Sequence, residues 1–201
     1  IAIHPVTYRQ YRAFLDDPRG YRDERWWQDL RHEKEPGEQF RPTGNCPAEN
    51  VSWYDAMAYC RWASVRMGHE VRLPTEWEWQ QAATGGDSTR TFPWGREWER
   101  GRANTFESGL RRATAVGMYP DGATLQGVLD MAGNVWQWCV NPFDSPNDTS
   151  PSGDSRRVVR GGSWHYNRDL ARCASRLDFD PGSRPYNLGL RLVCVSPILK
   201  R

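Results

Sequence analysis

Eleven of the 201 residues are tryptophan, and that count constrains the fold more than any other feature of the chain. Each indole brings a large apolar body and one N–H that needs an acceptor when buried, so a core built from them is aromatic and threaded with hydrogen bonds. Hydrophobic residues make up only 38% of the chain and mean hydropathy is −0.83. The tryptophans turn those values from a signature of disorder into one of a compact, bulky core. A chain of this length builds such a core without staples, and no Pro/Ser-rich linker or charge block divides it, so residues 1–201 read as one domain.

Net charge is +2, from 27 basic and 25 acidic residues, and the arginines are scattered rather than striped. That balance argues against a nucleic-acid partner. No apolar run approaches the roughly 18 residues of a membrane span, and no signal-like segment opens the chain, so membrane insertion is not expected. Cys46, Cys60, Cys139, Cys173 and Cys194 are odd in number and form no CxxC pair. They read as reduced, mostly buried thiols in a cytoplasmic protein, with secretion as the alternative. Ile1 to Pro5 enter structure at once, so the chain reads as part of a longer protein.

Three capping boxes mark helix starts: Thr7 with Gln10, Ser52 with Asp55, and Thr75 with Glu78. Apolar spacing carries the first helix over 7–16 and the second over 52–67, stopping at Gly68, while the third is short and ends near Gly85 and Gly86. The stretch 18–50 is charged and irregular. Short strands are expected at Val128-Leu129, Asn134 to Trp138, Arg157 to Arg160 and Leu188 to Val193. Two main helices, short antiparallel strands and extensive loops make an α+β domain.

Seven motifs in order resemble those of the formylglycine-generating enzymes, or sulfatase-modifying factors. They are Pro5-Val6-Thr7, Val51 to Ala56, Arg72 to Trp79, Phe92-Pro93-Trp94-Gly95, Asp130 to Trp138, Arg160-Gly161-Gly162-Ser163-Trp164 and Asn187 to Arg191. The resemblance covers nearly the whole chain and implies a C-type-lectin-like fold in its formylglycine-generating elaboration. Enzymes of that family resemble a two-cysteine machine that binds copper through soft thiolates. Here the first cysteine position falls on Tyr166 and the second near Ala171, and Cys173 is the only cysteine between Cys139 and Cys194. The oxidation chemistry is therefore expected to be absent. His4, His32, His69 and His165 lack the close spacing of the family's three-histidine iron branch. No cofactor is required by this reading. The resemblance does imply a structural calcium, held by Asp130 and Gln137 side chains and the Gly133 and Val135 carbonyls, with Gln137 standing where the enzymes carry Glu.

The tail from Arg160 to Arg191 also resembles the variable region of proteins diversified by retroelements. Trp136, Trp138, Gly161, Gly162, Trp164, Cys173 and Arg176 are its expected scaffold, since glycines permit close turns and indoles wedge loops on the core. The diversified positions, all within 165–187, would be His165, Tyr166, Asn167, Leu170, Ser175, Leu177, Asp178, Phe179, Ser183, Pro185, Tyr186 and Asn187. They follow no period of 2 or 3.6, and tyrosine among Asn, Ser and Asp is the chemistry of adaptable binding loops. An exposed cluster of Tyr166, Phe179 and Tyr186 above a buried Cys173 is expected. The chain then reads as a non-catalytic display domain for a protein, peptide or glycan. Its alternatives are a formylglycine-type oxidoreductase and a structural or regulatory module of a larger effector.

Overall fold

A computed structural model describes residues 1–195. Helix α1 spans Tyr8–Asp16, α2 spans Trp53–Met67 and α3 spans Glu76–Thr84, and all three capping boxes close reciprocally. The third helix is as long as the first, 9 residues each, so the domain has three helices of weight rather than two. Gly68 and Gly85 end α2 and α3 in the left-handed conformation that favours glycine.

Strands β1 (Val71–Arg72), β2 (Trp136–Pro142), β3 (Arg157–Arg160), β4 (Arg176–Phe179), β5 (Leu188–Leu190) and β6 (Val193–Cys194) form two sheets. The larger has the order β4-β3-β2-β5, and β1 pairs with β6 in the smaller. Three differences from the sequence reading have clear causes. The β2–β5 pair is parallel, not antiparallel, because the tail returns alongside β2 rather than turning back as a hairpin. The expected strand 188–193 splits at Arg191, whose buried guanidinium turns in to Gln137 and to the carbonyls of Ala2, Ile3, Leu129 and Asp130. No strand forms at Val128-Leu129, where the Leu129 N–H is satisfied by Ile3 instead of a ladder.

Strand β4 was not expected at all. Its alternation is period 2 over four residues: Leu177 and Phe179 pack on the core, while Arg176 and Asp178 face the other way to Glu76 and Arg156. The core is aromatic and hydrogen-bonded. Trp53 donates to the Cys139 carbonyl at 3.1 Å, Trp138 to that of Val51 at 2.8 Å, and Trp79 to Gln137 Oε1 at 3.0 Å. Among the described residues no helix is long and apolar enough to cross a membrane.

Candidate functional site

The carboxy-terminal segment is fastened to the domain by two arginine clamps. Arg176 on β4 donates from Nε and Nη2 to the two carboxylate oxygens of Glu76, at 2.8 and 2.9 Å. Arg160 on β3 reaches the same Glu76 at 2.6 Å and also the Cys173 carbonyl. Arg184 makes the second clamp, donating to both oxygens of Asp55 at 2.8 Å and to the Tyr21 hydroxyl at 3.0 Å. Glu76 and Asp55 are buried residues in the first turns of α3 and α2, so the acids that start two helices also hold the tail. Charge-assisted, bidentate pairs of this kind fix orientation as well as position. Sequence reasoning missed Arg184 because its partner lies 129 residues earlier.

Above these clamps the backbone crosses itself at close range. Gly162 has φ +74°, and a Cβ there would stand 2.8 Å from the Leu170 carbonyl, so the turn Arg168–Ala171 can pass only over a glycine. Gly161, Trp136, Trp138, Trp164 and Cys173 are all buried. Burial pushes the Cys173 thiol up to about 12, which keeps it protonated at neutral pH.

The expected binding positions divide by environment. His165 and Asn167 are exposed and Tyr186 is 42% exposed, while Tyr166, Ser183 and Pro185 are half-buried beside them. The rings interlock: Tyr186 lies 5.6 Å from His165 and 5.5 Å from Trp164, and Tyr166 rests edge-on against Trp136 at 6.0 Å. Leu170, Leu177, Phe179 and the half-buried Tyr166 itself pack on the core, so of the expected trio of Tyr166, Phe179 and Tyr186 only Tyr186 is exposed. Phe179 belongs to β4 and meets Trp138 edge-on at 6.3 Å. Ser175 donates to the Asp169 carbonyl and Asp178 pairs with Arg156, each at the side of the surface.

Asn187 is a further correction. It is only 4% exposed, donates to Ser163 Oγ at 2.8 Å, and accepts the Trp136 N–H at its own carbonyl. It holds the base of the loop and has no face to offer a ligand. Two exposed rings outside the tail complete the surface. Phe40, 60% exposed, lies 6.3 Å from Tyr186, and Phe106, 59% exposed, donates its N–H to the Tyr166 carbonyl. Phe40 sits in the charged stretch 18–50, where an isolated aromatic was the available signal.

The turn expected to bind calcium does not fit the ion. Gln137 Oε1 accepts from Trp79 at 3.0 Å and from Arg191 Nε at 2.7 Å, which forces its Nε2 to donate to the Asp130 carbonyl at 2.7 Å. The fully buried Arg191 guanidinium also donates to the carbonyls of Ala2, Ile3, Leu129 and Asp130. Asp130 Oδ2 accepts the Gly117 N–H at 2.7 Å and Oδ1 faces Asn134 Nδ2 at 3.4 Å. The Asp130 and Gln137 side chains thus meet protein donors where calcium demands an open cage of oxygens. Among the described residues no cluster of three His, Cys, Asp or Glu converges as a metal site.

A family model for the sulfatase-modifying factor enzyme 1-like domain matches residues 1–195. The chain is 33% identical over 186 residues to the mouse inactive C-alpha-formylglycine-generating enzyme 2, covering 83% of this chain and 56% of that one. It is 31% identical over 194 residues to the mouse formylglycine-generating enzyme, covering 83% and 50%. Overall identity therefore does not separate the active from the inactive relative, and the cysteine positions must. The chain spans 32–58% of the length of these and other curated relatives. Among solved structures, Treponema denticola variable protein 1 shares the fold with a TM-score of 0.72 at 23% identity, covering 94% of this chain and 82% of that one. By its motifs, its fold and these matches, the chain belongs to the sulfatase-modifying factor enzyme 1-like domain family.

Proposed function

We propose that this chain is a non-catalytic ligand-binding domain that displays a variable surface on its carboxy-terminal loops, for a protein, peptide or glycan. The observation that carries the reading is the division of labour within 165–187. Side chains with open faces, His165, Tyr166, Asn167, Ser183, Pro185 and Tyr186, stand on a frame held by Arg160, Arg176 and Arg184 on buried acids. Change at the tips leaves the clamps intact, which is what a diversified surface requires. A few aromatic anchors ringed by polar contacts suit such recognition.

Formylglycine chemistry is disfavoured on the residues themselves, since Tyr166 and Ala171 stand where the resemblance places the thiolate pair. No cofactor is needed for display. All five cysteines are unpaired, which supports a reducing, cytoplasmic setting.

Randomising the six open positions and screening the folded pool on protein, peptide and glycan arrays tests the proposal. Different members should stay folded and acquire different ligands. A binding profile indifferent to all six positions, or oxygen uptake with a cysteine-containing peptide, would overturn it.

A further inference from the structure

The segment that carries Phe40 to Tyr186 is a strap with firm ends and a weak middle. At one end the Glu35 carbonyl accepts from Arg184 Nη1 at 3.0 Å. At the other, the Thr43 carbonyl accepts the Cys46 N–H at 2.9 Å and the Gly44 carbonyl accepts the Arg9 N–H at 3.0 Å. Between these ends, residues 36–42 form no backbone–backbone hydrogen bond among the described residues. The middle crosses 49–50 so closely that a Cβ on Gly37 would stand 2.1 Å from the Asn50 carbonyl oxygen. Two side-chain amides hold the crossing. Gln39 Oε1 accepts the Glu49 N–H at 3.0 Å while its Nε2 donates to the Glu49 carbonyl, and Asn50 Nδ2 donates to the Glu38 carbonyl.

At this crossing the Glu49 side chain is fully buried, and neither carboxylate oxygen has a well-formed hydrogen bond. The charged and titratable groups around it come mostly from the strap itself. Arg41 turns its backbone N–H and its charge toward the carboxyl, but they offset only part of the burial, which holds the group at about 7. Cys46 is a buried thiol beside it, raised by burial and by Glu49 and lowered by Arg41 and Arg112. Glu35 and Glu38 are exposed, and Arg184 is committed to Asp55. On the other wall, the neighbouring Ala48 pairs with Val6 and lies against Gly189, which bring no charge. A carboxylate so placed must stay protonated or reach water, and the strap is the wall that yields with the fewest broken contacts.

Resting on the display reading for what the surface is for, we infer that the strap 35–43 is a pH-operated clasp on it. With Glu49 protonated the strap lies down and holds Phe40 beside Tyr186; ionisation of Glu49 lifts the middle, so that water reaches the carboxylate and Phe40 leaves the cluster. Both ends stay anchored, and only the Gln39 and Asn50 amide contacts are given up. Because the folded value lies above 4.5, the clasp is held fully below about pH 4.5, loosens as pH rises, and loosens no further above about 7. Phe40 lies outside 165–187, so one acid sets the openness of the surface for every variant of the tail.

The test is hydrogen exchange by NMR at two adjacent amides: Glu49, whose acceptor Gln39 Oε1 rides on the strap, and Ala48, whose acceptor is the Val6 carbonyl of the frame. Corrected for intrinsic rates, protection of the Glu49 amide should fall by roughly 50–100-fold from about pH 5 to about pH 8. That amide should exchange faster than Ala48 throughout and be insensitive to about 1 M urea, as a local opening is, while Ala48 responds to urea. In Glu49→Gln, with Glu49→Leu as a second neutral variant, the pH response at residue 49 should vanish, and melting curves verify folding. Placement of the ring is read by fluorine NMR of 4-fluorophenylalanine at position 40, in a His165→Gln background that removes the titratable ring beside Tyr186. Its resonance should move over the same pH range and stay fixed once Glu49 is also neutralised. Protection independent of pH, a Glu49 amide that exchanges only together with Ala48, or a fluorine signal blind to Glu49 would overturn the clasp. These measurements use no ligand, so their failure leaves the display reading standing. A randomised pool indifferent to its six positions removes that reading and not the clasp.

Discussion

Replacing Glu76 by alanine removes the one acid that holds both Arg160 and Arg176. Glu76 and Arg160 are each under 5% exposed, so the substitution strands a buried guanidinium as well as releasing β4. Breaking a buried pair from one side costs about 3–5 kcal/mol, because the remaining charge is left uncompensated. Arg160 keeps the Gln80 side chain and the Cys173 carbonyl, and Arg176 is near enough to solvent to rehydrate, which favours the lower half of that range. In a domain of this size each kcal/mol moves Tm by roughly 2–4 °C, so a loss of about 3–4 kcal/mol should lower Tm by roughly 6–16 °C. Glu76→Gln retains an acceptor and should lose less. Urea titration and thermal melting of the two variants beside Tyr186→Ala provide the measurement. Exposed Tyr186 should cost no more than about 1 kcal/mol. A loss below about 1 kcal/mol for Glu76→Ala, or an equal loss for Tyr186→Ala, would refute the separation of frame from tips.

Three other outcomes are expected. Glu49 is buried with no well-formed hydrogen bond to either carboxylate oxygen, and burial, only partly opposed by the Arg41 backbone N–H and charge, raises its carboxyl from 4.5 to about 7. The folded state thus favours the protonated form, full stability from this group is present below pH 4.5, and about 3 kcal/mol is lost as pH rises through about 7. Glu49→Leu should therefore stabilise the protein more at pH 8 than at pH 5 in urea titrations. A gain independent of pH would contradict the assignment. Gln137→Glu would set a carboxylate oxygen against the Asp130 carbonyl where an N–H now donates, costing about 1–3 kcal/mol. Calcium should not recover that loss in a thermal-shift assay, and neither the variant nor the unsubstituted protein should respond to calcium or chelator, because Trp79, Arg191 and Gly117 still donate into the turn. Gly162→Ala should destabilise by at least about 1–2 kcal/mol through the left-handed backbone alone, before its 2.8 Å contact with the Leu170 carbonyl is counted. A melting temperature unchanged from that of the parent would rule out the crossing described at that turn.

What could be read from the sequence was local. Each capping box spans four residues, so Thr7, Ser52 and Thr75 announce their helices without tertiary help. The parallel β2–β5 pairing, the β1–β6 pairing and the Arg184–Asp55 clamp join segments more than 45 residues apart, and nothing in either segment specifies its distant partner. The tail's variable-region pattern marked a stretch but could not separate its faces. Leu177 and Phe179 turn inward because β4 pairs with β3, and Asn187 turns inward because Ser163 waits beneath it. Phe40 reached the surface cluster only through a fold that brings residue 40 beside residue 186. From sequence Gln137 reads as a calcium ligand in place of the enzymes' Glu, and only the positions of Trp79 and Arg191 reveal which end of its amide faces Asp130.

The most direct test of the account substitutes His165, Tyr166, Asn167, Ser183, Pro185 and Tyr186 together, in many combinations, and measures folded fraction and ligand binding on the same molecules. If this surface is a set of replaceable tips on a clamped frame, most combinations should unfold cooperatively within a few degrees of the parent while their ligand preferences diverge. Loss of cooperative unfolding in most combinations, or ligand preferences that do not change with the tips, would contradict it.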